Sequence, residues 1–185
     1  MSLTLLLWHR DHMEQHDEVT IRPATVADAA AIADVHVRSW QHAYTGIVPD
    51  DFLAGLDPAR RAPVWEENLR RGPDDHVLTW VAEAGHRIVG FATLGPGRDE
   101  DVQRGDREIY SIYLDPEQWG RGVARELMRT LVAAAGPGTR ILLWVLAENE
   151  RAQHFYRRNG FEADGVEKLA PVGGAELLEV RYRRG

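Results

Sequence analysis

The spacing of apolar residues changes repeatedly along this chain, and each change marks an element. Val19 to Pro23 ("VTIRP") alternates with period two and predicts a strand. Thr25 followed by Asp28 has the spacing of a capping box, and Ile32, Val35, His36, Ser39, Trp40 and Ala43 then share one helical side until Gly46. Asp57 before Pro58 gives the order of an N-cap and a first helical position, and Gly72-Pro73 ends that second helix. "HVLTWVAE" and "RIVGFATL" are short β-rich runs joined through Ala84-Gly85-His86, the pattern of an antiparallel hairpin.

Gly95 to Asp106 is polar and glycine-rich and is expected to be a mobile loop. "REIYSIYL" alternates as a further strand and leads into "DPEQWGRGVARELM". A helix from about Arg121 places Val123, Leu127, Leu131 and Ala134 on one face and stops at Gly136-Pro137. "RILLWVL" is continuously apolar, as in a strand covered on both faces. Asn149 opens a last helix with Ala152, Phe155 and Tyr156 inward and Asn159-Gly160 at its end; "FEADGVEKL" and "ELLEVRYR" close the chain as a strand pair across Val172-Gly173-Gly174. The order β-α-α-β-β-β-α-β-α-β-β predicts one α/β (α+β) domain over residues 19–185, a mixed sheet with helices on both faces.

Composition narrows the chemistry. The 185 residues carry 22 Lys+Arg against 29 Asp+Glu, a formal charge of −7 with no basic block, so nucleic acid is not an expected partner. The acidic balance favours a cationic amine as substrate. The chain has no cysteine, hence no disulfide, thiolate nucleophile or cysteine-based zinc site, as suits a reducing cytoplasm. Leu3 to Trp8 is apolar but short, lacks a basic lead and runs into "HRDHMEQHDE", so neither a signal peptide nor a membrane span is expected. Residues 1–18 are expected to form a disordered tail; His9, His12 and His16 could share a helical face and bind a metal, but their polar surroundings favour the tail, and a start at Met13 is a further explanation. No metal is expected, and a homodimer stays open.

Gly120 and Gly122 stand where a strand gives way to a helix, and glycine lowers helix stability by about 1 kcal/mol relative to alanine. Unpaired amides at such a turn, with the helix dipole behind them, make an anion site suited to phosphate. Val123-Ala124 stand where a P-loop needs Lys-Ser/Thr, and Arg125 stands where a dinucleotide fingerprint needs Gly or Ala. A tight turn with close helix packing is the plain structural alternative.

Trp119-Gly120-Arg121-Gly122-Val123-Ala124 resembles the Gln/Arg-x-x-Gly-x-Gly/Ala segment of the GNAT superfamily of acetyl-CoA-dependent N-acetyltransferases, with Trp119 departing from the usual Gln or Arg. "NERAQHFYRRNGF" resembles that family's second segment at Asn149, Ala152, Phe155, Tyr156, Gly160 and Phe161, and the likeness runs from about residue 21 to the end. It implies a mostly antiparallel sheet splayed between its fourth and fifth strands, with acetyl-CoA in the gap as acyl-donor cosubstrate. The backbone of Ile112, Tyr113 and Leu114 would then flank the pantetheine arm like an added strand, amides from Gly120 through Arg121, Gly122, Val123 and Ala124 to Arg125 would hold the pyrophosphate beside Trp119, and Asn149 would contact the pantetheine, cap its helix, or do both.

The resemblance also implies direct acetyl transfer to a primary amine of a small molecule or peptide. Glu108 has the spacing of the general base in histone acetyltransferases of the superfamily, with partial burial expected to raise its pKa; as a strand-edge residue it would instead pair with an arginine such as Arg107 or Arg151. Tyr156 occupies the place of the tyrosine that protonates the leaving thiolate, with a core aromatic as the alternative. Trp40, His42 and Tyr44 fall in the region over which the family places its acceptor, where they line an aromatic pocket or alternate between core and surface. Two other functions compete: an acyl-CoA-binding domain without transfer, and a phosphate-binding module for another nucleotide.

Overall fold

The computed structural model describes residues 18–185; the expectations for the N-terminal tail, with His9, His12 and His16, lie outside the described residues. Seven strands form one sheet: β1 (Val19–Pro23), β2 (Leu78–Ala84), β3 (Arg87–Pro96), β4 (Arg107–Leu114), β5 (Ile141–Leu146), β6 (Glu162–Val172) and β7 (Ala175–Arg184). Their order across the sheet is β1-β2-β3-β4-β5-β7-β6, and every neighbouring pair is antiparallel except β4 with β5. The helices are α1 (Ala29–Ala43), α2 (Asp50–Ala54), α3 (Pro58–Arg71), α4 (Val123–Ala135) and α5 (Glu150–Arg158). None is long and apolar enough to cross a membrane among the described residues.

Two apolar layers sandwich the sheet. On one face Ile32, Ala33 and Val35 of α1 and Trp65 of α3 pack on Val81, Ile88 and Phe91. On the other, Val123, Leu127, Met128 and Leu131 of α4 and Tyr156 of α5 pack on Val89, Ala92, Leu94, Ile109 and Leu143. The expected inward face of α4 is rotated at its end: Ala134 is exposed, while Val132 and Ala135 join the core. The short α2, which follows Pro49, is not among the expected elements; Leu53 from it packs with Val48 and Leu146 in a separate small cluster.

The sheet opens in the middle. β4 and β5 are paired only over Arg107–Ile109 and Ile141–Leu143, although β4 continues to Leu114 and β5 to Leu146. Just beyond the last pair the β3–β4 register shifts, because Leu94 faces Ile109 and Thr93 faces Ser111, leaving Tyr110 as an extra residue. An inserted residue reverses which face later side chains reach. Ile109, Ile112 and Leu114 consequently all meet the α4 side, whereas Tyr113 meets the α1 side. Strict alternation through "REIYSIYL" would have put Ile109 and Tyr113 on the same face.

The glycine-rich segment after β3 is tied down rather than free, contrary to the expectation of a mobile loop. Arg181 of β7, 5% exposed, binds Asp101 through two 2.6 Å contacts, Asp99 at 3.0 Å and Asp164 at 2.9 Å. Asp99 also accepts from the Trp144 indole at 3.1 Å, and Asp106 accepts from Arg140.

Candidate active site

A cavity of about 570 Å³ runs through the gap between β4 and β5. Its wall contains Trp119, Gly120, Gly122 and Ala124 at one end, Ile112, Tyr113, Leu114, Asn149 and Tyr156 along the gap, and Glu108 with Trp40, His42 and Tyr44 as well. Residues separated by more than a hundred positions in sequence are thus brought to one space. Arg121, Val123 and Arg125 do not border it; Arg121 and Val123 border a separate open cleft with Gly122 instead.

The turn before α4 accounts for its glycines. Gly120 has φ of 78° and Gly122 of 86°, left-handed values that side-chain-bearing residues adopt at a cost of about 1–2 kcal/mol. A Cβ at either position would meet no protein atom within 4 Å, so the space above the turn is open. Arg125 and Glu126 donate to the Gly122 carbonyl and Arg121 to Gln118, leaving the amides of Gly120, Gly122, Val123 and Ala124 without a backbone partner among the described residues. Free amides at a helix N-terminus form an anion cradle; those of Arg121 and Arg125 are already used. Asp115, 2% exposed and held by Arg38 at 3.0 Å, caps the turn leading into the cradle.

At Trp119 the guanidinium of Arg151 lies over the indole, 3.5 Å from the ring centre, and the His42 ring meets it edge-on at 4.8 Å. A cation on an aromatic face keeps its N–H groups free at the rim for an anion. Asn149 caps α5, its Oδ1 accepting from the Ala152 amide at 3.1 Å, while its amide nitrogen has no partner among the described residues. Both roles expected of Asn149 are thereby compatible.

Three tyrosines converge where the gap is deepest. The hydroxyls of Tyr44 and Tyr113 are 3.3 Å apart, and burial raises the pKa of both. Tyr156, 8% exposed among Phe155, Phe161 and Tyr182, is likewise shifted up, first by burial and then by Tyr113. All three therefore remain neutral donors through the physiological range. The Tyr156 ring is packed as a core residue would be, yet its hydroxyl has no hydrogen bond within the protein among the described residues and the side chain borders the cavity. Trp40 packs on Tyr44 and Phe52 in the same wall, partly buried; His42 is exposed at the rim.

Glu108 is 2% exposed, and its carboxylate accepts from the Arg98 amide at 3.0 Å and from the Arg98 guanidinium. The expected arginine partners were Arg107 and Arg151; instead Arg107 donates to the His76 carbonyl and Arg151 covers Trp119. Arg98 comes from the tied-down segment and rests over the Tyr110 ring at 4.0 Å. A second carboxylate in the cavity wall, Glu179 of β7, was not visible from sequence. It is paired with Lys168 at 3.6 Å, whose ammonium sits over Trp144 at 3.8 Å. No motif marks the glutamate in "ELLEVRYR", and only the β5–β7 pairing of Leu146 with Glu179 carries it to the gap.

Residues 34–161 match the model of the acetyltransferase (GNAT) family. The chain belongs to this family. Its relatives include a probable N-acetyltransferase of Mycobacterium tuberculosis, 28% identical over 172 residues that cover 89% of this chain and 92% of that protein. Among solved structures it is similar to the PaiA N-acetyltransferase of Thermoplasma acidophilum in complex with coenzyme A, with a TM-score of 0.69, 20% identity and coverage of 90% and 98%. It is also similar to the YncA protein of Salmonella typhimurium with its cofactor acetyl-CoA, with a TM-score of 0.66, 23% identity and coverage of 89% and 92%. The expected GNAT fold, with its opened β4–β5 pair, is thus the observed one, and the chain is an acyltransferase.

Proposed function

We propose that this enzyme transfers an acetyl group from acetyl-CoA directly to a primary amine. The observation that carries the proposal is the single cavity bordered by the open glycine turn, by Tyr156 and by two carboxylates. The free amides at Gly120, Gly122, Val123 and Ala124, with Arg151 beside Trp119, suit the diphosphate of a coenzyme A thioester. In this reading Arg151 supplies from α5 the charge that the family often carries at the position of Trp119.

A lysine-like amine is mostly protonated at neutral pH, its pKa being about 10.4, so a base has to remove a proton before attack. Glu108 takes it, directly or through a water. The amine nitrogen then bonds to the acetyl carbon, the carbon–sulfur bond breaks, and the sulfur accepts a proton from the Tyr156 hydroxyl; the nitrogen, which then carries two protons, gives one to solvent and keeps one as the amide N–H, the phenolate takes a proton back from solvent, and Glu108 releases its own proton to solvent. Burial raises the phenol pKa, so Tyr156 stays protonated and able to donate, and the same surroundings disfavour a free thiolate, whose ordinary pKa is about 8.5.

A second assignment of the base has an observation behind it. Glu108 already accepts from an arginine and an amide, whereas Glu179 has a looser partner and lies close enough to raise the pKa of Tyr44 and Tyr113. Glu179 could thus draw the proton through that pair.

Thiol release from acetyl-CoA across a panel of amines, with mass spectrometry of the products, tests the function. Acetyl-CoA binding without transfer to any amine would favour the non-catalytic acyl-CoA domain, and binding of other nucleotides in preference to acetyl-CoA would favour a phosphate module. With an acceptor whose rate is limited by chemistry, Tyr156→Phe is expected to keep binding and fold while losing roughly 10- to 10³-fold in turnover. Full activity of that variant would remove the acid role.

A further inference from the structure

A second cavity of about 410 Å³ lies under α1 and α3 and shares Trp40, Tyr110, Ser111 and Tyr113 with the first. Donors without acceptors collect around it. The Trp65 indole donates to His36 Nδ1 at 3.2 Å; an indole N–H can only donate, so the proton of the neutral imidazole sits on Nε2. His36 is 9% exposed, and its Nε2 has no partner among the described residues. Burial, reinforced by Arg61, pushes its pKa down to about 3, so the ring is a neutral N–H donor at any working pH.

Two more buried polar atoms in the same wall, Trp40 Nε1 and Ser111 Oγ, are also unpartnered among the described residues. Trp40 Nε1 lies near the Tyr113 hydroxyl without hydrogen-bonding geometry. Arg61 adds a guanidinium that has no ion pair among the described residues, and Asn68 adds an amide. Among the described residues the one carboxylate in the lining, Asp75, is held by Arg71 at 3.5 Å. Buried polar groups are ordinarily paired, and a cluster of unpaired donors around a cavity implies an acceptor that arrives from outside.

Building on the acetyl-transfer reading, we infer that the cavity under α1 and α3 receives a carboxylate of the acceptor, so that the amine acetylated is that of an amino acid or a close analogue. Glu108 and Glu179 on the gap side face the amine, and Arg61 with His36 Nε2 faces the carboxylate, a division of charge that matches a zwitterion. The overall negative charge of the chain favours a simple cation, but the charge lining this cavity is positive. Local donors decide recognition at contact range, and net charge acts only at longer range.

The test uses product-like probes, so that it does not depend on turnover. N-acetyl derivatives of aliphatic, aromatic, polar and acidic amino acids, each beside its primary amide, are titrated calorimetrically into the protein saturated with coenzyme A. At least one acid is expected to bind ten times or more tightly than its amide, and Arg61→Gln is expected to abolish that difference while leaving coenzyme A affinity unchanged. Asn68→Ala, on the exposed side of α3, is expected to reduce the preference partially. Equal binding of acids and amides, or a preference that survives Arg61→Gln, would overturn the inference. N-acetyl-O-phosphoethanolamine provides the arm for a phosphate, and its binding tighter than every carboxylate would also overturn it. A positive result without thiol release from acetyl-CoA in the presence of any free amino acid would uphold the cavity assignment and count against the transfer reading instead.

Discussion

In the proposed reading the recognising groups at the donor end of the cavity are main-chain amides held by two left-handed glycines; at the acceptor end they are side chains from α1, α3 and β4, brought together only by packing. The difference has consequences for what mutation can do. Backbone donors survive most substitutions that preserve the turn, so donor recognition tolerates changes of side chain. The acceptor side depends on individual rings and charges, and on neighbours that hold them, so single changes there should alter specificity and stability sharply.

The largest expected effect removes a support of the acceptor side. Arg181 holds Asp99 and Asp101 of the segment that carries Arg98, and also Asp164, whose side chain is 5% exposed. Arg181→Met leaves a buried carboxylate without its cation, a change that typically costs about 3–5 kcal/mol. For a domain of this size that lowers the melting temperature by about 6–20 °C. A shift within roughly 2 °C would show that the cluster is not a support.

Next in size is the choice between carboxylates. Glu108→Gln is expected to leave acetyl-CoA affinity intact, lower turnover by about 10² or more, and displace the alkaline rise in rate to higher pH. Glu179→Gln should then cost less than about tenfold. If the two results are exchanged, the base is Glu179 and the Arg98–Glu108 pair is structural. Arg98 is largely exposed, so the glutamine at 108 does not strand a buried cation.

The two ends also differ in how much the sequence revealed. The glycine turn and the Asn149–Tyr156 helix are local: their geometry depends on residues within one turn of one another, and both were legible together with the succession of strands and major helices along the chain. Tyr113 on the α1 face was not, because the extra residue at Tyr110 belongs to the pairing of two strands. Glu179, Arg98 and Arg151 were missed as site groups for the same reason. Each is an ordinary charged residue in sequence, and only long-range pairing or a cation–aromatic contact brings it to the cavity. His36 was legible as an inward residue but not as a donor, since its tautomer is set by Trp65, 29 positions away.

That tautomer gives a smaller effect, readable by pH. His36 is held near pKa 3 in the fold and returns to about 6.5 when unfolded. Between these values the unfolded chain binds a proton that the folded one refuses, so stability is fully present above about pH 6.5 and falls on acidification by up to about 1.4 kcal/mol per pH unit. Asp28, whose pKa the Arg22 guanidinium lowers to about 2, adds its own loss only at more acid pH. His36→Gln keeps an acceptor for the Trp65 indole and an N–H donor toward the cavity but cannot titrate. Chemical denaturation at pH 7, 6 and 5 should show a steep decline in the native protein and a flatter one in the variant; parallel declines would place the acid sensitivity elsewhere.

The smallest expected effect tests the donor end. Gly122→Val is expected to weaken acetyl-CoA binding at least tenfold, about 1.4 kcal/mol, but this variant alone confounds two causes. At φ of 86° a β-branched residue strains the turn whether or not a ligand is present. Asparagine tolerates left-handed backbone far better, so Gly122→Asn should preserve the turn and melt within a few degrees of the native protein. It still extends a side chain into the space where a Cβ meets no protein atom. If that space belongs to the diphosphate, the asparagine variant also loses affinity for acetyl-CoA, by several-fold, and does so with the fold intact. Calorimetry showing normal affinity for Gly122→Asn and weak binding only for the valine would mean that glycine is there for the turn alone. Main-chain recognition would then reside in the amides and not in the open space above them.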